Sequence, residues 1–229
     1  MDYARAIKAI NENAQFNIVE DDLDNIEWLN GTTPISKTDI EAKMSDDVKL
    51  LVLINPNNPC GAVAGKDDIF RLLAIARKWP NCIVIADEIY DGLDFTGEHT
   101  SVASLSPDVP VFVLNGVSKV FYAPGWRIGY LGIHDPKRRL DLVRDGIERL
   151  LRSRLCASTP AQLGYLAGLD SDRTWMKSYA EKIARQRDLC VARVKSIEGL
   201  EVQSTGGAFY MFIKLTDEKW FNNDKEFVL

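Results

Sequence analysis

In the stretch LNGVSKVFYAPGWRIGY, residues 114–130, an apolar run ends in Asn115-Gly116 and a serine and a lysine, Ser118 and Lys119, follow at once. Arg127 comes next, inside a Gly-Trp-Arg-x-Gly turn. A solvated surface lysine needs no such setting. An amine at the mouth of a buried strand can form a Schiff base with an aldehyde. An arginine beside a hydroxyl suits a phosphate, which the guanidinium grips with two parallel hydrogen bonds. Two other stretches offer groups that complement these. NPNNPCG (55–61) is a turn dense in Asn, Pro and Gly and brings asparagine side chains; ADEIYDG (86–92) brings Asp87 and Tyr90. A carboxylate can pair with a protonated pyridine nitrogen, and an amide and a phenol can donate to a phenolate oxygen.

Each stretch alone has a plain structural reading: a turn, a helix cap, an exposed amine. Their common placement is harder to explain that way. KLLVLIN (49–55), CIVIAD (82–87) and VPVFVLN (109–115) are short, near-continuous apolar runs, the pattern of strands buried on both faces of a mainly parallel sheet. KDDIFRLLAIARKW (66–79) places Ile69, Leu72, Leu73, Ala76 and Trp79 on one helical face, with Asp67 and Asp68 in the first turn. Strand, crossover helix and strand make a βαβ unit. FNIVE (16–20) is a fourth strand candidate and RIGYLGI (127–133) a fifth. Ligands of an open α/β sheet sit beyond the carboxyl ends of its strands. Three successive strands therefore deliver the asparagines of NPNNPCG, then Asp87 and Tyr90, then Ser118 and Lys119 to one edge. That set fits pyridoxal 5'-phosphate feature by feature.

Composition excludes several other classes. The chain of 229 residues is 46% hydrophobic, as a core-forming protein is, and its net charge of -5 argues against nucleic-acid partners. No apolar run is long enough for a bilayer, and the N-terminus lacks the form of a signal peptide. Cys60, Cys82, Cys156 and Cys190 are scattered without a C-x-x-C pair, which points to free thiols in a reducing cytoplasm. His99 and His134 have no ligand spacing, so no metal site is expected.

After Pro136 the texture changes. KRRLDLVRDGIERLLRSRL (137–155) reads as a long helix with Leu140, Val143, Ile147, Leu150 and Leu151 inward, and a second runs from about Trp175 to Ile197, ended by Gly199. LEVQSTGGAFYMFIKL (200–215) alternates around a Gly-Gly turn, which suggests a strand pair in a smaller layer. The expected architecture is α/β, a mainly parallel sheet flanked by helices over residues 1–160, followed by part of a smaller α+β domain over 161–229. The boundary falls within about 156–172. The closing DKEFVL reads as the opening of a helix.

With NPNNPCG, ADEIY, SKVFYAPGWRIGY, RLCASTPAQ (154–162) and GGAFYMF (206–212) in this order, the chain resembles the class I/II aminotransferases of the fold-type I pyridoxal-phosphate enzymes, over essentially its whole length. The resemblance implies that Lys119 holds the cofactor and then serves as base and acid of a 1,3-proton shift. It implies that Asp87 keeps the ring nitrogen protonated, that Asn58 and Tyr90 hydrogen-bond the phenolic oxygen, and that Arg127 and Ser118 hold the phosphate. Tyr3 falls where the family often stacks an aromatic residue on the ring, although the pattern here reads Met-Asp-Tyr. Tyr122 and Trp126 are expected to pack beside the site. The family's reaction is ping-pong, amino acid to 2-oxo acid and back, in homodimers whose sites lie at the subunit interface near RLCASTPAQ.

Departures accompany the resemblance. Cys60 stands in place of threonine, and Gly116 where some members carry a second phosphate-binding serine. The family's N-terminal glycine loop and its C-terminal carboxylate-binding arginine have no counterpart in these residues. The sequence therefore reads as a piece lacking both terminal segments. Alternatives from the same fold are a decarboxylase, a C–S lyase and an inactive fragment; GWRIGY and RLCASTPAQ favour transamination. A pyridoxal-binding regulator is disfavoured by the acidic charge and the lack of a helix-turn-helix pattern.

Overall fold

The computed structural model describes residues 7–8, 11–13, 15–18, 26–29, 49–79, 81–153, 156–220, 223 and 226. Its centre is a four-stranded sheet ordered β3 (Leu50–Ile54), β4 (Ile83–Asp87), β5 (Val111–Gly116) and β6 (Gly129–His134). The first three strands run parallel and β6 returns antiparallel to β5. β6 begins two residues later than the sequence suggests, because Arg127 lies in the turn before it.

Helix α1 (Lys66–Ala76) crosses over from β3 to β4, as its spacing predicts, with Asp67 and Asp68 against the positive end of the helix dipole. It buries Ile69, Leu73 and Ala76 against Val84, Ala86 and Val111 of the sheet, with Trp79 and Cys82 at the margin. The short α2 (Val102–Leu105) covers the same face through Val102. Each fully buried Ile or Leu there contributes roughly 1.5–3 kcal/mol relative to exposure.

Burial on both faces, expected from the continuous apolar runs, is corrected by the structure. On the face away from α1, Leu50 is 54% and Val52 61% exposed, and Leu114 and Leu131 are exposed with them. Among the described residues this face is open. The strand candidate at 16–20 is also placed differently. β1 (Gln15–Ile18) pairs antiparallel with β2 (Ile26–Leu29) in a separate two-stranded sheet, outside the main one.

The helix expected at 137–155 is α3, Asp141–Ser153. Its start is delayed by a turn in which Asp135 accepts from the amides of Arg139 and Leu140. Leu140 is buried, but Leu150 and Leu151, expected inward, are 69% and 63% exposed, and Val143 is exposed too. The expected boundary region holds a further helix, α4 (Thr159–Asp170), with Pro160 in its first turn. Helix α5 (Thr174–Lys195) matches the second long helix. β7 (Leu200–Val202) and β8 (Ile213–Leu215) form the expected antiparallel pair, with Gly206-Gly207 in the loop between them. All of DKEFVL except Glu226 lies outside the described residues.

Candidate active site

The carboxyl ends of β3, β4 and β5 open on one pocket of about 480 Å³, within the range of cofactor sites. It is lined by Asn58, Asp87, Tyr90, Ser118, Lys119 and Arg127, so six of the seven residues expected from the sequence come together. The seventh, Tyr3, lies outside the described residues.

Each side chain is positioned by a local device. The turn after β3 is closed by Asn57, whose backbone amide donates to the Ala62 carbonyl at 2.8 Å and whose carbonyl accepts from Gly61 at 3.0 Å. Asn55, buried below it, clamps Ala64 by donating to its carbonyl and accepting from its amide. Asp87 is the last residue of β4 and accepts from the Ile89 amide at 3.2 Å, which turns the chain toward Tyr90. Beyond β5, Lys119 lies in a loop whose ends are joined where Gly116 pairs with Gly129. Arg127 sits in left-handed backbone, φ 52°, and its guanidinium donates to the Pro124 carbonyl at 2.9 Å. Tyr122 is also left-handed, φ 53°. Such conformations are uncommon for residues other than glycine and gather at functional sites. Tyr122 packs on Tyr179 and Trp126 against Gly164, beside the pocket rather than in it.

Two features lie outside the sequence-based expectation. Asn115 lines the pocket, donating to Asp91 at 3.0 Å and accepting from the Gly116 amide. Its signal was available, since it is a polar residue ending a buried strand as Asp87 is. The second feature comes from the β7–β8 loop. Gly206 and Gly207 amides both donate to the Gly61 carbonyl, and the Ala208 amide donates to Leu93. This docking sets Phe209 and Tyr210 against Tyr90 at ring distances of 5.4 and 5.6 Å. Lys119 Nζ lies 5.8 Å from the Tyr90 ring and 5.6 Å from the Phe209 ring. Burial pushes the Tyr90 phenol well above its ordinary range, and it keeps its proton at working pH. No spacing rule links Tyr90 with residues this distant in sequence.

No group of His, Cys, Asp and Glu fit for a metal occurs among the described residues. The four cysteines are free; Cys60, in the turn after β3, has its Sγ 2.9 Å from Asn57 Oδ1.

An amine, a carboxylate and a guanidinium gathered at the carboxyl edge of a mainly parallel sheet define a cofactor-binding α/β protein. The profile of the family described as aminotransferase class I and II matches residues 25–228, and the chain belongs to that family. It is 36% identical over 196 residues to the glutamate-pyruvate aminotransferase AlaA of Escherichia coli K12, covering 83% of this chain and 48% of that protein. It is 33% identical over 195 residues to an alanine aminotransferase of Mycobacterium tuberculosis, covering 83% and 45%. The solved alanine aminotransferase of Pyrococcus furiosus superposes with a TM-score of 0.78 at 45% identity, over 83% of this chain and 48% of that one. The chain thus spans about half the length of these relatives.

Enzymes of this family use pyridoxal 5'-phosphate. The donor set of the pocket fits it: one amine for the aldehyde, one carboxylate for the ring nitrogen, amide and phenol for the phenolic oxygen, and a guanidinium with a hydroxyl for the phosphate.

Proposed function

We propose that the chain carries the cofactor site of a pyridoxal-phosphate-dependent aminotransferase that moves an amino group between an amino acid and a 2-oxo acid in two half-reactions. The observation that carries this reading is the single pocket in which Lys119 meets Asn58, Asp87, Tyr90, Ser118 and Arg127. Bound there, the cofactor supplies an aldehyde that carries the amino group and a ring that accepts an electron pair. Arg127 and Ser118 bind the phosphate, the guanidinium already aimed by Pro124. Asp87 holds a proton on the ring nitrogen. Asn58 and Tyr90 would donate to the phenolic oxygen. Lys119 Nζ would hold the aldehyde carbon at rest, and once displaced by the substrate its amine would serve as base and then acid of the 1,3-proton shift. Residues 1–160 form the cofactor-binding part and 161–229 a smaller domain. The relatives named for alanine and glutamate–pyruvate support those compounds as substrates.

Self-association as a homodimer is part of the same proposal. It is supported by the exposed leucines of α3 and α4, Leu150, Leu151, Leu163 and Leu166. Light scattering that finds a monomer refutes it. A cytoplasmic location is supported by the free thiols; no helix of the described residues is long and apolar enough to cross a membrane.

The test is borohydride reduction of the chain with pyridoxal phosphate, beside a Lys119→Ala variant, followed by peptide mass mapping. The expected result is a pyridoxyl adduct on Lys119 that the variant lacks. No adduct, or one scattered over surface lysines, overturns the reading.

A further inference from the structure

The hydroxyl of Tyr210 lies 2.8 Å from that of Tyr90, across 120 residues of sequence, and Tyr90 is 2% exposed. Tyr210 does not line the pocket, whereas Tyr90 does. Its position is over-determined. Besides the bonds to Gly61 and Leu93, the Phe95 amide donates to the Gly206 carbonyl at 2.8 Å, and Arg187 donates to the carbonyl of Thr205. Ala208, next to the two rings, is fully buried in left-handed backbone, φ 57°. A side chain tied this firmly and kept out of the pocket acts on a ligand only through Tyr90.

Proton bookkeeping shows how. Each phenol has one proton and two lone pairs. If Tyr90 spends its proton on Tyr210, it turns lone pairs toward the pocket and repels an anionic oxygen there. If Tyr210 donates to Tyr90, the Tyr90 proton is free for the pocket, and a hydroxyl that accepts a hydrogen bond donates more strongly. Only the second order satisfies both hydroxyls when an anionic oxygen is bound.

We propose that Tyr210 is a positioning residue for the cofactor site, its hydroxyl donating to Tyr90 and directing the single Tyr90 proton at the ligand's phenolate oxygen. The inference rests on the aminotransferase reading above for the identity of that oxygen. Donors to a phenolate weaken its hold on the proton of the adjacent imine nitrogen, so losing one raises the pH at which the bound chromophore gives up that proton.

The test uses Tyr210→Phe, Tyr90→Phe and the double variant, each loaded with pyridoxal phosphate and titrated by visible absorbance, with cofactor affinity measured alongside. Phenylalanine keeps the ring contacts and deletes only the hydroxyl. The expected result for Tyr210→Phe is a midpoint raised by roughly 0.5–1 pH unit and cofactor held roughly 3–10-fold more weakly. Tyr90→Phe shifts at least as far, and the double variant no further than Tyr90→Phe, because Tyr210 has nothing left to act through. Shifts that add in the double variant, or a Tyr210→Phe protein with lower thermal stability and an unmoved midpoint, overturn the proposal and leave the cofactor site standing. A wild-type chain that forms no adduct on Lys119 instead removes the aminotransferase reading, and this inference falls with it.

Discussion

Gly61→Ala should destabilise the chain far more than its small size change suggests, and the structure separates the causes. Gly61 has φ 68°, so any L-residue there incurs a left-handed backbone cost of about 1–2 kcal/mol. A Cβ at this position would also lie 2.5 Å from Thr205 Cβ, 2.8 Å from Thr205 Cγ2 and 3.0 Å from the Gly207 carbonyl. Thr205 is buried and its carbonyl is held by Arg187, so the loop cannot retreat cheaply. Overpacking of this kind costs typically 1–3 kcal/mol. The sum is about 2–5 kcal/mol. Gly97 is the control, with φ 73° and nothing within 4 Å of an added Cβ. Gly97→Ala should show the backbone cost alone. Urea unfolding followed by tryptophan fluorescence measures both, provided the slope of stability against denaturant is unchanged. If the two variants agree within about 0.5 kcal/mol, the close approach of the β7–β8 loop to the turn after β3 is not a feature of the folded chain.

Two further outcomes follow from burial. Leu73→Ala, in the fully buried face of α1, should cost about 2–5 kcal/mol in the same assay, whereas Leu142→Ala, 88% exposed on α3, should change stability by less than about 0.5 kcal/mol. Tyr165 has its phenol pushed from 10.0 to about 12, first by burial and then by Tyr130 and Asp91. The raised folded value means its contribution is complete below pH 10 and lost as pH climbs from 10 through 12, at most about 2–3 kcal/mol. Tyr165→Phe should flatten the fall in urea midpoint over that window; an unchanged alkaline slope refutes the assignment.

The sheet was legible because its strands are continuous apolar runs and α1 carries a clean 3.6-residue stripe. The site was legible for the same reason: NPNNPCG, Asp87 and Lys119 follow such runs, and chain order then puts them on one edge, while Asn58 was singled out by the family resemblance. Helix α4 was not, since Leu163, Leu166 and Leu169 are exposed while Tyr165 is buried, which leaves no single apolar face to read. The stripe on α3 is real, but amphipathicity says that a face is apolar and not what covers it. Continuity of apolar residues in β3 misled in the same way, since Val52 is as apolar as Leu51 yet points to the open face. Tyr210 escaped because its role depends on a contact between distant segments, created by backbone bonds from Gly206, Gly207 and Ala208.

The spacing of Lys119 and Arg127 has its explanation in the glycines that flank them. β5 ends at Gly116 and β6 begins at Gly129, and these two residues are paired across the sheet. A Cβ on Gly116 would stand 2.8 Å from the Ile128 carbonyl, and one on Gly129 would stand 2.6 Å from the Asn115 carbonyl. Only two glycines let the strands approach this closely. The close approach, with the Val117 amide donating to Ile128 at 3.3 Å, cinches the base of the loop that holds the amine and the guanidinium. Both cations are therefore carried on one short excursion from the sheet, with the Asp87 carboxylate at the end of the neighbouring strand. A serine at position 116, which some family members use for phosphate, has no room here without parting β5 from β6. The proposed phosphate site of this chain therefore rests on Ser118 and Arg127, which line the pocket.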